Sequence, residues 1–107
     1  MTTFDKREEG FEKKFALDEE QKFKAEVRRN KLLGLWLAEK LGMSGADADA
    51  YAKEVIAADF EEAGDADLLR KVMSDLSAKG VSIDEKAVRA KMDDLIAVAA
   101  MQVKAGT

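Results

Sequence analysis

The chain has no cysteine and no histidine. These two absences exclude disulfide frameworks, thiol nucleophiles, zinc sites built on Cys/His ligands and acid–base chemistry through imidazole. Proline is also absent, and only seven of the 107 residues are glycine. Long helices therefore meet no obstacle, and a turn-rich β architecture has no support. What is present is 47% hydrophobic and 37% charged residues, enough for one compact domain. An all-α fold is expected.

Eighteen basic and 22 acidic residues give a net charge of −4, the wrong sign for a protein that binds nucleic acid over its surface. The charge is unevenly placed. Residues 1–31 hold nine basic and eight acidic side chains, and residues 32–107 hold nine and 14. Met1 to Asp5 has neither the basic block nor the apolar block of a secretory signal, and the apolar runs 32–38 and 95–101 are too short to cross a bilayer. A soluble cytoplasmic protein without direct membrane insertion is expected.

Four apolar stripes at helical spacing organise the chain after residue 19. Leu32, Leu33, Leu35, Trp36, Leu37 and Leu41 form a segment apolar nearly all round, expected at the centre of the core and ended by Gly42 and Gly45. Ala48, Tyr51, Ala52, Val55 and Ile56 form the second stripe, with Ser44 as candidate cap. Leu69, Val72, Met73 and Leu76 form the third, opened by Asp65 and closed by Gly80. Val88, Met92, Leu95, Ile96, Ala99 and Val103 form the fourth, preceded by a Ser82-x-x-Glu85 capping-box pattern. Helices over about 20–42, 45–62, 65–79 and 84–104, joined by short loops, predict a four-helix bundle.

Residues 1–18 fit this bundle poorly. Phe4, Phe11 and Phe15 share a helical stripe, whereas Phe23 and Val27 lie roughly 80 to 120° round from Phe15 at about 100° per residue. A break near Asp18 to Glu20 would let Phe23 and Val27 join the bundle while the first three phenylalanines project on an arm. Three aromatics cannot offset the ordering entropy of some eighteen residues at about 1–2 kcal/mol each, so a mobile arm that becomes helical on binding is expected. The alternatives are that the phenylalanines fold back as core or that the arm is inert.

Other constellations carry less. Asp59, Glu61, Glu62, Asp65 and Asp67 cluster, but without the ligand spacing of a calcium loop, and they read as helix caps and a solvated loop. Arg28, Arg29 and Lys31 surround Asn30 and point in different directions on a helix. They read as a solvated face, a partner contact or a weak ATP or ADP site, and no phosphate-binding loop supports the last. Trp36 reads as a core aromatic. Asp93-Asp94 and Glu61-Glu62 lack a nearby nucleophile or cofactor motif, so no enzyme chemistry, metal or cofactor is expected.

The opening Met1-Thr2-Thr3-Phe4-Asp5-Lys6-Arg7-Glu8, then Phe11-Glu12-Lys13-Lys14-Phe15-Ala16, and above all the run from Phe23 to Trp36 resemble the zeta subunit, the ATPase inhibitor of alphaproteobacterial F-type ATP synthases. The resemblance covers essentially the whole chain and is strongest over Met1 to Gly42. It implies a four-helix fold whose N-terminal arm enters a catalytic interface of the head, near the rotor, and blocks rotation in the hydrolytic direction. The implied partners are the alpha, beta and gamma subunits of that head, and the protein would be peripheral to the inner membrane when bound. The implied inhibitory contacts are Phe4, Arg7, Phe11, Lys14 and Phe15. Relatives often carry histidine near the position of Leu17, and its absence here removes a histidine-based pH switch. A helical adaptor without inhibitory activity, or a weak nucleotide-responsive regulator, are the competing readings.

Overall fold

The computed structural model describes residues 17–59 and 65–106. They form four α-helices: α1 (Glu19–Lys40), α2 (Gly45–Asp59), α3 (Ala66–Ala78) and α4 (Glu85–Lys104). No strand occurs among the described residues. The all-α, four-helix fold is the one expected. Residues 1–16 of the arm expected over 1–18, and the expected extension of the second helix to 62, lie outside the described residues, while Asp18 caps α1.

Helix α1 organises the assembly, because it packs along both α2 and α4, while α3 rests chiefly on α2 and touches α4 more lightly. Its buried side chains explain this position. Ala25, Arg29, Leu33 and Leu37 recur every fourth residue, and Asn30, Gly34, Ala38 and Leu41 follow on the adjoining line. Tyr51 and Val55 from α2, Leu68, Leu69, Val72 and Leu76 from α3, and Val88 and Met92 from α4 complete the core. Burying a leucine such as Leu33, Leu37, Leu68 or Leu76 fully stabilises the fold by about 1.5–3 kcal/mol relative to leaving it in water.

The helix ends have local causes. Gly42 and Gly80 adopt φ of 80° and 69°, a left-handed conformation that glycine takes without steric cost. At α1 the Met43 N–H donates to the Ala38 carbonyl at 2.8 Å and Gly42 N–H to Glu39 at 3.1 Å. At α3 Val81 donates to Leu76 at 2.9 Å and Gly80 to Ser77 at 3.0 Å. Both are Schellman motifs, and Met43 and Val81 fold back onto the core to close them. The chain therefore reverses within a few residues.

Three expectations need correction. The N-cap of α4 is Asp84, whose carboxylate accepts from Ala87 N–H at 2.8 Å, so Ser82 forms no capping box with Glu85. The helix starts two residues later than that pattern requires. Phe23 is 54% exposed and does not enter the core. Within the leucine-rich segment only Leu33, Leu37 and Leu41 are buried; Leu32, Leu35 and Trp36 are half-buried, because a helix touched on two sides still leaves a third open.

Candidate functional site

Helix α1 carries most of the residues singled out in the sequence, and its start is sharply defined. Asp18 accepts from Gln21 N–H at 2.7 Å, and Gln21 Oε1 accepts from Asp18 N–H at 3.3 Å, a reciprocal capping box. Residues 1–17 thus precede a helix fixed at its first turn. The expected inhibitory contacts Phe4, Arg7, Phe11, Lys14 and Phe15 lie outside the described residues.

The basic run splits across two faces of α1. Arg29 shares the every-fourth line of Ala25, Leu33 and Leu37 and is only 7% exposed. Its Nη2 donates to Asp65 at 3.1 Å and lies 3.7 Å from an Asp59 oxygen, while Nε and Nη2 donate to Asn30 Oδ1 at 3.0 and 2.9 Å. Asn30 Nδ2 donates in turn to Asp59 at 2.8 Å. This corrects the reading of Arg29 as a surface contact: its guanidinium is committed to acids at the end of α2 and the start of α3. Asp65 occupies the N-cap position of α3 yet makes no side-chain capping bond, since its carboxylate turns to Arg29.

The second acid of this cluster is electrostatically uneasy. Asp59 Oδ1 is buried and has no hydrogen-bond partner. Burial pushes the Asp59 carboxyl above the ordinary carboxylate range; the Asn30 hydrogen bond and the Arg29 charge pull it down, and Asp65 adds a further upward push. One arginine faces two carboxylates here.

Arg28 and Lys31 lie on a different face. With Lys24 they line a groove of about 820 Å³ between α1 and the end of α4, floored by Val27, Leu32, Leu35 and Val103. Arg28 donates to Gln102 at 3.2 Å and so ties the two helices across this groove. Arg28 and Lys31 are brought together, and Arg29 is not with them. Of the acidic cluster, Asp67 pairs with Arg70, and Glu61 and Glu62 lie outside the described residues. Asp93 and Asp94 are both exposed. No group of three or more potential metal ligands converges among the described residues.

Two arrangements escaped the sequence reading. Tyr51 on α2 donates to Asp75 on α3 at 2.8 Å, and Lys71 bridges Asp75 at 3.0 Å and Glu54 at 3.1 Å while lying 5.2 Å from the Tyr51 ring. Burial, reinforced by the hydrogen bond to Asp75, raises the Tyr51 hydroxyl above its usual range, so it stays a neutral donor. The other arrangement is a cleft at the half-buried Trp36, with Lys40 Nζ 5.6 Å and Lys91 Nζ 5.4 Å from the ring centroid. The Trp36–Lys40 spacing of four was the available signal for it. The surface thus offers cations and aromatics for contact, which suits binding to another molecule.

Comparison with known proteins accords with this geometry. No curated protein matches the chain. A protein structure solved by solution NMR is 56% identical, with a TM-score of 0.70 over 79% of this chain and 96% of the other. The sequence model described as ATPase inhibitor subunit zeta matches residues 1–102. By this match, which spans the segment before α1 as well as all but the end of α4, the chain belongs to the ATPase inhibitor subunit zeta family.

Proposed function

We propose that this protein inhibits ATP hydrolysis by the catalytic head of an F-type ATP synthase, inserting residues 1–18 at a catalytic interface near the rotor and so blocking hydrolytic rotation. The observation that carries the reading is the family match, which includes the N-terminal segment with its aromatic stripe. Phe4, Phe11 and Phe15 supply apolar anchors; Arg7 and Lys14 supply cations for acids of the alpha, beta and gamma subunits. Such a segment orders on binding and is held by a cleft that closes round aromatic side chains. The capping box at Asp18 supports this division of labour, because it sets the point from which the segment leaves a rigid helix. The protein acts by occupying space, catalyses no reaction, and works in the cytoplasm at the inner membrane surface while bound.

The test is ATP hydrolysis by the purified head with the full chain and with a Phe4→Ala/Phe11→Ala/Phe15→Ala variant. Inhibition by the parent and its loss in the variant, with unchanged helical circular dichroism, is the expected result. Equal inhibition by both would remove the phenylalanines from the mechanism. No inhibition by either would favour an adaptor that has kept the fold alone.

A further inference from the structure

One guanidinium on α1 serves two carboxylates from the two ends of the α2–α3 junction. Arg29 Nη2 lies 3.1 Å from Asp65 Oδ1 and 3.7 Å from Asp59 Oδ2, and both acids are nearly buried. With both ionised the cluster would hold one uncompensated negative charge out of water, an unfavourable state. The hydrogen bonds show where that charge would fall. Asp59 Oδ2 accepts from Asn30 Nδ2 at 2.8 Å, whereas Oδ1 is buried and meets no donor among the described residues. A proton on this carboxyl cancels the surplus charge and gives it a bond to donate. The Asp65 side chain is within hydrogen-bond reach to accept, having turned from capping α3 toward the cluster. Arg29 and Asn30 from α1 and Asp65 at the start of α3 are the groups that act on Asp59 from the helices packed against α2.

From this geometry we infer that Asp59 and Asp65 share one proton, and that the shared proton latches α3 onto α2 and α1. Its release to solvent leaves two carboxylates at the junction with one cation for both, and like charges repel. The element that yields is α3, because it rests chiefly on α2 and touches α4 lightly, while α1 keeps its packing along α2 and α4. The opening is therefore local. The helical body is closed in acid and loosens at α3 as pH rises, with no histidine involved. This device belongs to the fold and stands apart from the inhibitor reading.

The test uses the full chain with carbon-13 at its aspartate carboxyls, followed by NMR across the carboxylate titration range. A shared proton makes the Asp59 and Asp65 signals move together in two common steps. Asp65→Asn should leave Asp59 a single step at lower pH, because Arg29 and Asn30 then act on it without the second acid. Amide hydrogen exchange reads the latch. In the parent, opening of α3 should rise by up to about tenfold per pH unit between the ordinary carboxylate value and the upper step, with α1 unchanged. In Asp59→Asn, whose amide N–H takes the place of the shared proton, it should stay at the parent's acid level. Burial alone also raises a carboxyl, but it predicts one Asp59 step that Asp65→Asn leaves in place, and that result would overturn the sharing, as would independent titration of the two acids. Exchange in α3 that follows pH equally in the parent and in Asp59→Asn would overturn the latch. If Asp65→Asn does not fold, the parent's own two signals still decide.

Discussion

Gly34 of α1 lies directly on Ala52 of α2: a Cβ added to Gly34 would fall 2.6 Å from the Ala52 Cα and 3.0 Å from its Cβ. The nearest atom is backbone, so relief requires the two helices to separate. Alanine would favour the helix by up to about 1 kcal/mol over glycine, but the clash acts against a packed interface and outweighs that gain. Gly34→Ala should lower stability by about 1–3 kcal/mol in urea unfolding. An unchanged or raised midpoint would show that α1 and α2 can slide apart freely.

Arg29 is the positive partner of two buried acids, with side chains 9% exposed for Asp65 and 14% for Asp59. Arg29→Met leaves both without it, and breaking a buried pair from one side costs about 3–5 kcal/mol. Arg29→Lys should recover only part, because an ammonium cannot reproduce donation from Nε and Nη2 in one plane. Denaturant unfolding at neutral pH measures both. A loss under about 1 kcal/mol for the methionine variant would mean that water reaches the acids.

Asp59 gives a pH dependence with a definite sign. Its native pKa lies above the ordinary 3.8, so the folded chain holds this proton more tightly than the unfolded one. The resulting stabilisation is fully present below the unfolded value and is lost as pH rises through the native value. Asp59→Asn removes the titration while keeping an oxygen for Asn30. The variant should lack this component of the decline, and its stability relative to the parent should rise with pH across that window. Parallel stability curves for the two chains from about pH 3 to 7 would refute the assignment.

The start of α4 offers a paired test. Asp84→Ala should cost about 1 kcal/mol, because the Ala87 N–H loses its acceptor, while Ser82→Ala should stay within about 0.5 kcal/mol of the parent. Thermal unfolding of both variants checks this. The reverse order would restore the serine as the cap.

The apolar stripes and the glycines after α1 and α3 made the four helices legible, since period and end signals agree there. Arg29 was misread for a different reason. In sequence it sits in a basic run with Arg28 and Lys31, but in space its charge meets Asp59 and Asp65, and charge composition says nothing about partners 30 or 36 positions away. The usable signal was register: Arg29 falls on the Ala25, Leu33, Leu37 line, where a solvated charge would be out of place. Ser82 and Asp84 are both residue types that cap helices, two positions apart, and local pattern alone does not rank them. The Trp36 cleft needed the approach of α4, which brings Lys91 to the ring from 55 positions along the chain.

Residues 60–64 connect Asp59 to Asp65, and those two acids meet at the same guanidinium on α1. The junction between α2 and α3 is therefore made twice, once by covalent linkage and once by charge. A protease cutting within 60–64 would yield two fragments that stay associated, with the Arg29 cluster and the Leu68, Leu69, Val72 and Leu76 seam holding them together.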